Sequence, residues 1–166
     1  ADFHLTGDNH EFDVLGAVEA RNLGIAAHAD TLTLDGVVNV DQQMTVLGAG
    51  SGSVKQTSGG SLNVSQLVLD VPDRDVTLEN SGNTIGAVRG SAAGFSLKTS
   101  GPPHGAVLTV DGLSVSGDVT LQNEGGIHIG DGGLTVGGVA YLKVFGFDPH
   151  VTQSGAVTAH GLAVDG

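Results

Sequence analysis

The chain has 166 residues and a formal net charge of −12, with only six Lys and Arg residues. This acidic balance excludes the basic footprint of a nucleic-acid-binding protein and argues against docking on anionic lipid. Cys and Trp are absent, aromatic residues make up 4%, and 28 residues are Gly. The core must therefore be built from small aliphatic side chains, and frequent Gly favours a chain that turns sharply at short intervals.

Short alternating runs dominate the chain from beginning to end. Apolar residues recur at every second position, and Gly, Asn, Asp or Ser follows each pair within a few residues. This pattern predicts short strands with one buried face, separated by turns. Residues 17–29 come closest to a helical pattern, but Gly24 interrupts them, so no helix is predicted. The clearest pairs are Leu32 and Leu34, Leu62 and Val64, Val76 and Leu78, Leu108 and Val110, Val119 and Leu121, and Leu134 and Val136.

One strand–turn–strand stretch, residues 75–88, has recognisable copies elsewhere. Its first half returns as residues 118–123, with the same order Asp-Val-Thr-Leu-x-Asn. A looser copy opens the chain, where Phe12 takes the place of Ile85. We interpret the stretch as one side of a repeating coil. Three Asn side chains at these turns are expected to stack in ladders: Asn80, Asn83 and Asn123.

A second segment type has the pattern Leu-Thr-aliphatic-Asp/Gly-Gly. It occurs at residues 32–36, 108–112 and 134–138. The repeat spacings are multiples of roughly 20–25 residues, the length of a single coil in a solenoid protein. These features predict an all-β fold, a parallel β-helix or β-solenoid, in which residues 1–166 form a single unit.

A third segment type, Val-x-Gln followed by Thr or Ser and Gly, occurs at residues 54–59 and 151–155. Each copy leads into an aliphatic strand, residues 67–70 after the first and residues 162–165 after the second. The first of these strands runs on into the stretch at 75–88, whereas nothing follows the second. We therefore interpret the chain as beginning and ending partway through one cycle of the coil.

The two ends of the chain are predicted to fit each other. Residues 1–6 have the character of the segment that should follow residues 162–165, and neither end carries the polar cap that an isolated solenoid needs. The chain starts at Ala1 without a signal-like segment, so we expect an excised or mature piece. We predict that copies of the unit join end to end and continue the strand ladders through Phe3, His4, Leu5, Leu162, Ala163 and Val164.

Residues that could support catalysis or metal binding are sparse. The seven His residues lack close metal-ligand spacing, and a site built from His10, Glu11 and Asp13 competes with a solvated turn. The stretch Gly130–Gly133 matches a calcium-binding repeat once and imperfectly, which favours a tight turn. The charged residues at 70–75 are interpreted as a solvated corner loop. We expect no cofactor, no metal ion and no enzyme activity.

The order of these segments resembles the filamentous haemagglutinin-like rods of Gram-negative two-partner-secretion exoproteins. The resemblance rests on Val76–Leu78, Asn83–Gly86 and Leu108–Val110, together with the Val-x-Gln segments at 54–56 and 151–153. It covers nearly the whole chain, which lacks anything like the family's N-terminal secretion domain. The resemblance implies a right-handed parallel β-helix, secretion to the bacterial cell surface, and a role in adhesion, biofilm formation or delivery.

These observations favour a structural function over a binding function. The first hypothesis is a subunit or repeat of a secreted surface fibre whose partner is another copy of itself. The alternative is an adhesin module that binds a glycan or a host protein through loops at 102–104 and 145–150. Neither hypothesis involves nucleic acid or insertion into a membrane.

Overall fold

A computed structural model describes residues 2–7, 11–28, 31–100, 106–146 and 148–166. These residues form an all-β solenoid of about 7 turns with about 21 residues per turn. The predicted fold class is confirmed, and the observed turn length lies within the predicted range. The described residues contain no helix, and therefore no helix that could span a membrane.

The strands follow one another around the solenoid and pair only in parallel with strands of neighbouring turns. Residues 18–27, which lie within the stretch 17–29 that comes closest to a helical pattern in the sequence, form strand β3. The strands are β1 Asp2–Gly7, β2 Glu11–Val14, β3 Val18–Ala27, β4 Thr31–Leu34, β5 Val37–Leu47, β6 Gly52–Gln56, β7 Ser61–Leu78, β8 Thr84–Ser100, β9 Leu108–Val115, β10 Val119–Glu124, β11 Ile127–Ile129, β12 Leu134–Val136, β13 Val139–Phe145, β14 Val151–Gln153, β15 Val157–Thr158 and β16 Gly161–Asp165.

Each turn passes through three strand segments, which we call A, B and C, in that order. The long strands β7 and β8 bend around the corners and contribute to all three segments. Segment A comprises β2, β4, β6, residues 74–78, residues 94–100, β10, β13 and β16. Segment B comprises residues 18–20, 37–40, 61–64, 84–85 and 108–110, β11 and β14. Segment C comprises β1, residues 22–27, 43–47, 66–71, 87–92 and 113–115, β12 and β15.

Inward side chains stack in columns that run along the axis of the solenoid. One column of segment A contains six residues that are each at most 2% exposed. Burial of a Val, Leu or Phe side chain stabilises the fold by about 1.5–3 kcal/mol relative to leaving it in water. The aliphatic core predicted from composition is therefore a set of continuous ladders. The column consists of Leu32, Val54, Val76, Phe95, Val119 and Ala140.

The second repeat type does not mark one face of the solenoid. Residues 32–36 begin in segment A, residues 108–112 in segment B and residues 134–138 in segment C. Leu134 stacks on Leu113 and not on Leu108. The same pattern recurs on different faces because a segment of any face needs two inward apolar residues, a polar residue between them and a flexible corner.

The looser copy at the start of the chain is out of phase with its proposed counterpart. Phe12 pairs with Leu32 in segment A, whereas Ile85 pairs with Val64 in segment B. The equivalence of Phe12 and Ile85 was therefore wrong. The copies at 75–80 and 118–123 do occupy one segment, because residues 76–78 and residues 119–121 both pair with residues 95–97 of β8.

The third repeat type also changes face between its copies. Residues 54–56 lie in segment A, and residues 151–153 lie in segment B. The strands that follow them differ likewise, since residues 67–70 belong to segment C and residues 162–165 to segment A. Because β16 belongs to segment A, a chain that continued from it would pass through segment B before it reached segment C. Residues 1–6 belong to segment C, so the predicted direct continuation of 162–165 into residues 1–6 has the wrong phase.

Gly90 lies in segment C and packs closely against the backbone of the preceding turn. It pairs with Leu69 on one side and with Leu113 on the other, and its φ is +112°. A Cβ at this position would collide with the carbonyl oxygen of Leu69. Gly112 also has a positive φ, of +77°, but no heavy atom lies within 4 Å of where its Cβ would be. Substituting each glycine therefore distinguishes the cost of backbone strain, present at both positions, from the cost of a steric collision, present only at Gly90.

We predict that Gly90→Ala lowers the free energy of unfolding by about 3 kcal/mol, because strain and collision add. Gly112→Ala should lower it by only about 1 kcal/mol, from strain alone. Urea unfolding followed by far-ultraviolet circular dichroism measures both values. Equal losses for the two variants would contradict the collision at Gly90.

Candidate functional site

The last strand, β16, carries two large apolar side chains at its inward positions. It pairs with β13 along one edge, and no strand of the described chain pairs with its other edge. Leu162 pairs with Ala140 and Val164 with Leu142, and both partners are at most 2% exposed. Leu162 and Val164 are themselves 54% and 56% exposed. Two buried columns of segment A therefore end in open apolar side chains.

The first strand, β1, has the corresponding arrangement at the other end of the solenoid. Among the described strands it pairs only with β3, with Phe3 beside Leu23 and Leu5 beside Ile25. Phe3 is 51% exposed and Leu5 is partly buried, while Leu23 and Ile25 are buried. The open apolar positions at this end thus lie on segment C, two residues apart.

Two of the six predicted end residues lie on the outer surface and not in the columns. His4 pairs with Gly24, and its ring fills the space that a side chain at Gly24 would occupy. Ala163 pairs with Tyr141, which is 50% exposed. Strict alternation along each strand places these residues outward, since Phe3 and Leu5 or Leu162 and Val164 take the inward positions.

A buried polar cluster closes the corner between segments A and B. The Asn83 side chain is fully buried, and its Oδ1 accepts hydrogen bonds from Leu62 N at 3.0 Å and Gln56 Nε2 at 2.7 Å. Its Nδ2 donates to Gln56 Oε1 at 2.9 Å and to the carbonyl oxygens of Leu78 and Lys98, each at 3.1 Å. Asn83 therefore fastens three successive turns together.

The predicted ladder of stacked Asn side chains was wrong. Asn123 pairs with Thr99 and Val144, so it has no Asn beside it in either adjacent turn. Its Nδ2 donates instead to the carbonyl oxygens of Ala106 at 2.7 Å and Gly126 at 2.6 Å. Asn80 likewise donates to backbone carbonyl oxygens, including that of Ser58 at 3.0 Å. The Asn residues satisfy corner carbonyl groups and do not stack on one another.

Gly130–Gly133 forms the tight turn that its sequence predicts. Gly133 N donates to Gly130 O at 2.9 Å, and Gly132 N donates to Asp111 Oδ1 at 2.6 Å. Asp111 therefore holds the turn of the next coil through its carboxylate, which is consistent with a structural function for this Asp.

The charged group at 70–75 differs from the predicted solvated loop. It lies within β7, and Arg74 is only 1% exposed, with its Nη2 donating to Ala49 O at 3.0 Å. Asp70, Asp73 and Asp75 are exposed, as expected. The alternation of the strand turns Arg74 inward at the corner between segments C and A, where residues 48–52 of the preceding turn cover it.

The remaining candidates do not form a metal site within the described ranges. Asp13 is exposed, and His10 lies outside those ranges, as do the loop residues 102–104. No group of three described His, Asp or Glu side chains could hold a metal ion.

The fold defines the chain as a β-solenoid of repeating turns. No protein-family model, curated protein or solved structure matches it.

We predict that Asn83→Ala lowers the free energy of unfolding by about 3 kcal/mol, because it leaves several buried polar groups without partners. The control is Asn63→Ala, whose side chain is exposed on segment B, and it should change the value by less than about 0.5 kcal/mol. Chemical denaturation of both variants provides the comparison. A loss at Asn83 no greater than that at Asn63 would contradict the assigned network.

Proposed function

We propose that this chain is a structural unit of a secreted bacterial surface fibre or adhesin that assembles end to end. The β-solenoid fold supports this proposal, since its strand ladders can continue through any number of turns. The net charge of −12 favours solubility of a long rod outside the cell. The segment order that resembles filamentous haemagglutinin-like rods supports secretion.

The proposal rests on the unpaired edges and exposed apolar side chains of strands β16 and β1. Leu162 and Val164 are spaced two residues apart, as are Phe3 and Leu5, and each pair ends buried columns. An unpaired strand edge with exposed apolar side chains is a template for another strand. A second copy of the chain offers a matching edge at its opposite end.

We infer that β16 of one copy pairs in parallel with β1 of the next. Leu162 then lies beside Phe3, and Val164 lies beside Leu5. This junction turns the second copy by one segment, because β16 belongs to segment A and β1 to segment C. This junction buries the most exposed apolar side chains of both strands. Pairing of β16 with β2 instead would cover Val14, which is already only 5% exposed.

The double substitution Leu162→Asp and Val164→Asp is expected to abolish assembly, because it places two charges in the apolar junction. Analytical ultracentrifugation and negative-stain electron microscopy should show rods for the wild-type chain and single particles for the variant. Thr158→Asp is the matched control, since Thr158 is exposed at the same end and points outward, and it should leave the rods intact. A wild-type chain that stays monomeric at high concentration would refute the proposal.

The register of the junction can be tested with cysteine pairs, because the chain has no native Cys. The variants Ala163→Cys and His4→Cys should be linked between copies by a short bismaleimide reagent, since both positions face outward on the paired strands. The pair Ala163→Cys and Asp13→Cys tests unrotated stacking, in which β16 would pair with β2. Cross-links through position 13 and not through position 4 would overturn the rotated junction.

A second candidate function is glycan binding on the outer surface of segment A. A shallow groove of about 380 Å³ lies across β10, β13 and β16, and Tyr141 is its exposed aromatic ring. Lys143 and Asp165, which form an ion pair at 3.5 Å, flank the ring together with Gln122. An aromatic ring beside hydrogen-bonding side chains suits a sugar, and it favours this surface over the corner loops.

If the groove binds a glycan, Tyr141→Ala should weaken binding by about tenfold, because the ring supplies the apolar contact. A glycan array would select the sugar, and isothermal titration calorimetry would measure the affinity. Thr135→Ala, an exposed substitution on segment C, should leave the affinity unchanged. Equal affinities for Tyr141→Ala and the wild-type chain would exclude this groove.

A further inference from the structure

Asp148, which directly precedes Pro149, has an unusual backbone conformation. The peptide bond between these two residues is the only Asp–Pro bond in the sequence. Asp148 has a φ of +56°, and it is the only non-glycine residue with a positive φ in the described chain. Such a conformation costs about 1–3 kcal/mol and persists where surrounding contacts impose it. Asp148, Pro149 and His150 are all exposed, so water reaches the bond.

The His150 ring contacts the carbonyl group of this bond. Its Nδ1 lies 2.8 Å from Asp148 O, and because a carbonyl oxygen only accepts hydrogen bonds, Nδ1 carries the proton. This contact polarises the carbonyl group and faces the atom where negative charge would develop during nucleophilic attack.

The preceding turn of the solenoid holds His150 in place. Ile127 N donates to His150 O at 2.9 Å, which anchors the backbone. The ring lies over Gly126, where a Cβ would be only 2.9 Å from Nε2. The absence of a side chain at Gly126 therefore gives the ring the space from which it reaches Asp148.

We propose that the chain cleaves itself between Asp148 and Pro149. A carboxylate oxygen of Asp148 attacks the carbonyl carbon of the same residue and closes a five-membered ring. The oxyanion that forms accepts the hydrogen bond from His150 Nδ1. The C–N bond then breaks, its electron pair passes to the Pro149 nitrogen, and that nitrogen takes a proton from solvent.

Water completes the reaction by opening the cyclic anhydride left at Asp148. The products are residues 1–148, with a free carboxyl group at Asp148, and residues 149–166, with the secondary amine of Pro149 as the new N-terminus. One peptide bond is broken and one water molecule is consumed. The reaction needs no oxidant or cofactor, and it occurs once per chain.

Cleavage would change the end of the rod without unfolding it. The segment 149–166 contains β14, β15 and β16, which stay paired with β11, β12 and β13. After the cut, the strand that carries Leu162 and Val164 is held by these pairings alone. The last strands could then separate and uncover the turn beneath them. The inference goes beyond the proposed assembly, because cleavage does not require a second copy.

Intact-mass spectrometry of the purified chain in mildly acidic buffer tests the proposal. We expect fragments 1–148 and 149–166, formed about 10²-fold faster by the folded chain than by the same chain in urea at the same pH. Added hydroxylamine should react with the cyclic anhydride and leave a hydroxamate on fragment 1–148, which identifies the anhydride as an intermediate. An intact wild-type chain, or equal rates for the folded and unfolded chain, would overturn the proposal.

Two variants test the functions assigned to Asp148 and His150 in the cleavage. Asp148→Asn removes the attacking carboxylate while keeping a residue type that tolerates positive φ, and it should abolish cleavage. His150→Ala should reduce the rate of the folded chain by about 10²-fold, to that of the unfolded chain. Circular dichroism confirms that both variants are folded. Wild-type rates in either variant would overturn the assigned function of that residue.

Discussion

Parallel pairing of each segment with the same segment of neighbouring turns is the constraint on which this protein depends. It places every inward side chain in a column, so the chemistry of one position must suit the positions above and below it. The column from Leu32 to Ala140 meets this demand with aliphatic and aromatic residues. Gly90 meets it differently, because only a residue without a side chain can pass so close to the carbonyl of Leu69.

The corners are governed by the same stacking, but through polar atoms. A turn leaves backbone groups without ladder partners, and each must be satisfied inside the protein or by water. Asn83, Asn123 and Asp111 supply these partners from side chains. The polar residues of the corners thus fix the relative positions of adjacent turns, while the aliphatic columns supply most of the burial.

The ends of the solenoid follow from the same constraint. A ladder of parallel strands has no intrinsic end, so the last strand of the described chain leaves its edge and its apolar columns open. This relation connects the proposed assembly with the proposed self-cleavage, since both act on β16. Assembly would cover the open edge, whereas cleavage would loosen the strands that carry it.

The sequence by itself determined the strand pattern, the turn length, the aliphatic core and the apolar character of the ends. These are local properties, readable from alternating residues and from corner residues such as those at Gly130–Gly133. Only the tertiary structure decided which face each repeat occupies, because the same strand-and-corner pattern suits all three segments. Likewise, the burial of Arg74 and the contact of His150 with Asp148 depend on which residues of the preceding turn lie beneath them. That register is set by long-range pairing, and no short stretch of sequence encodes it.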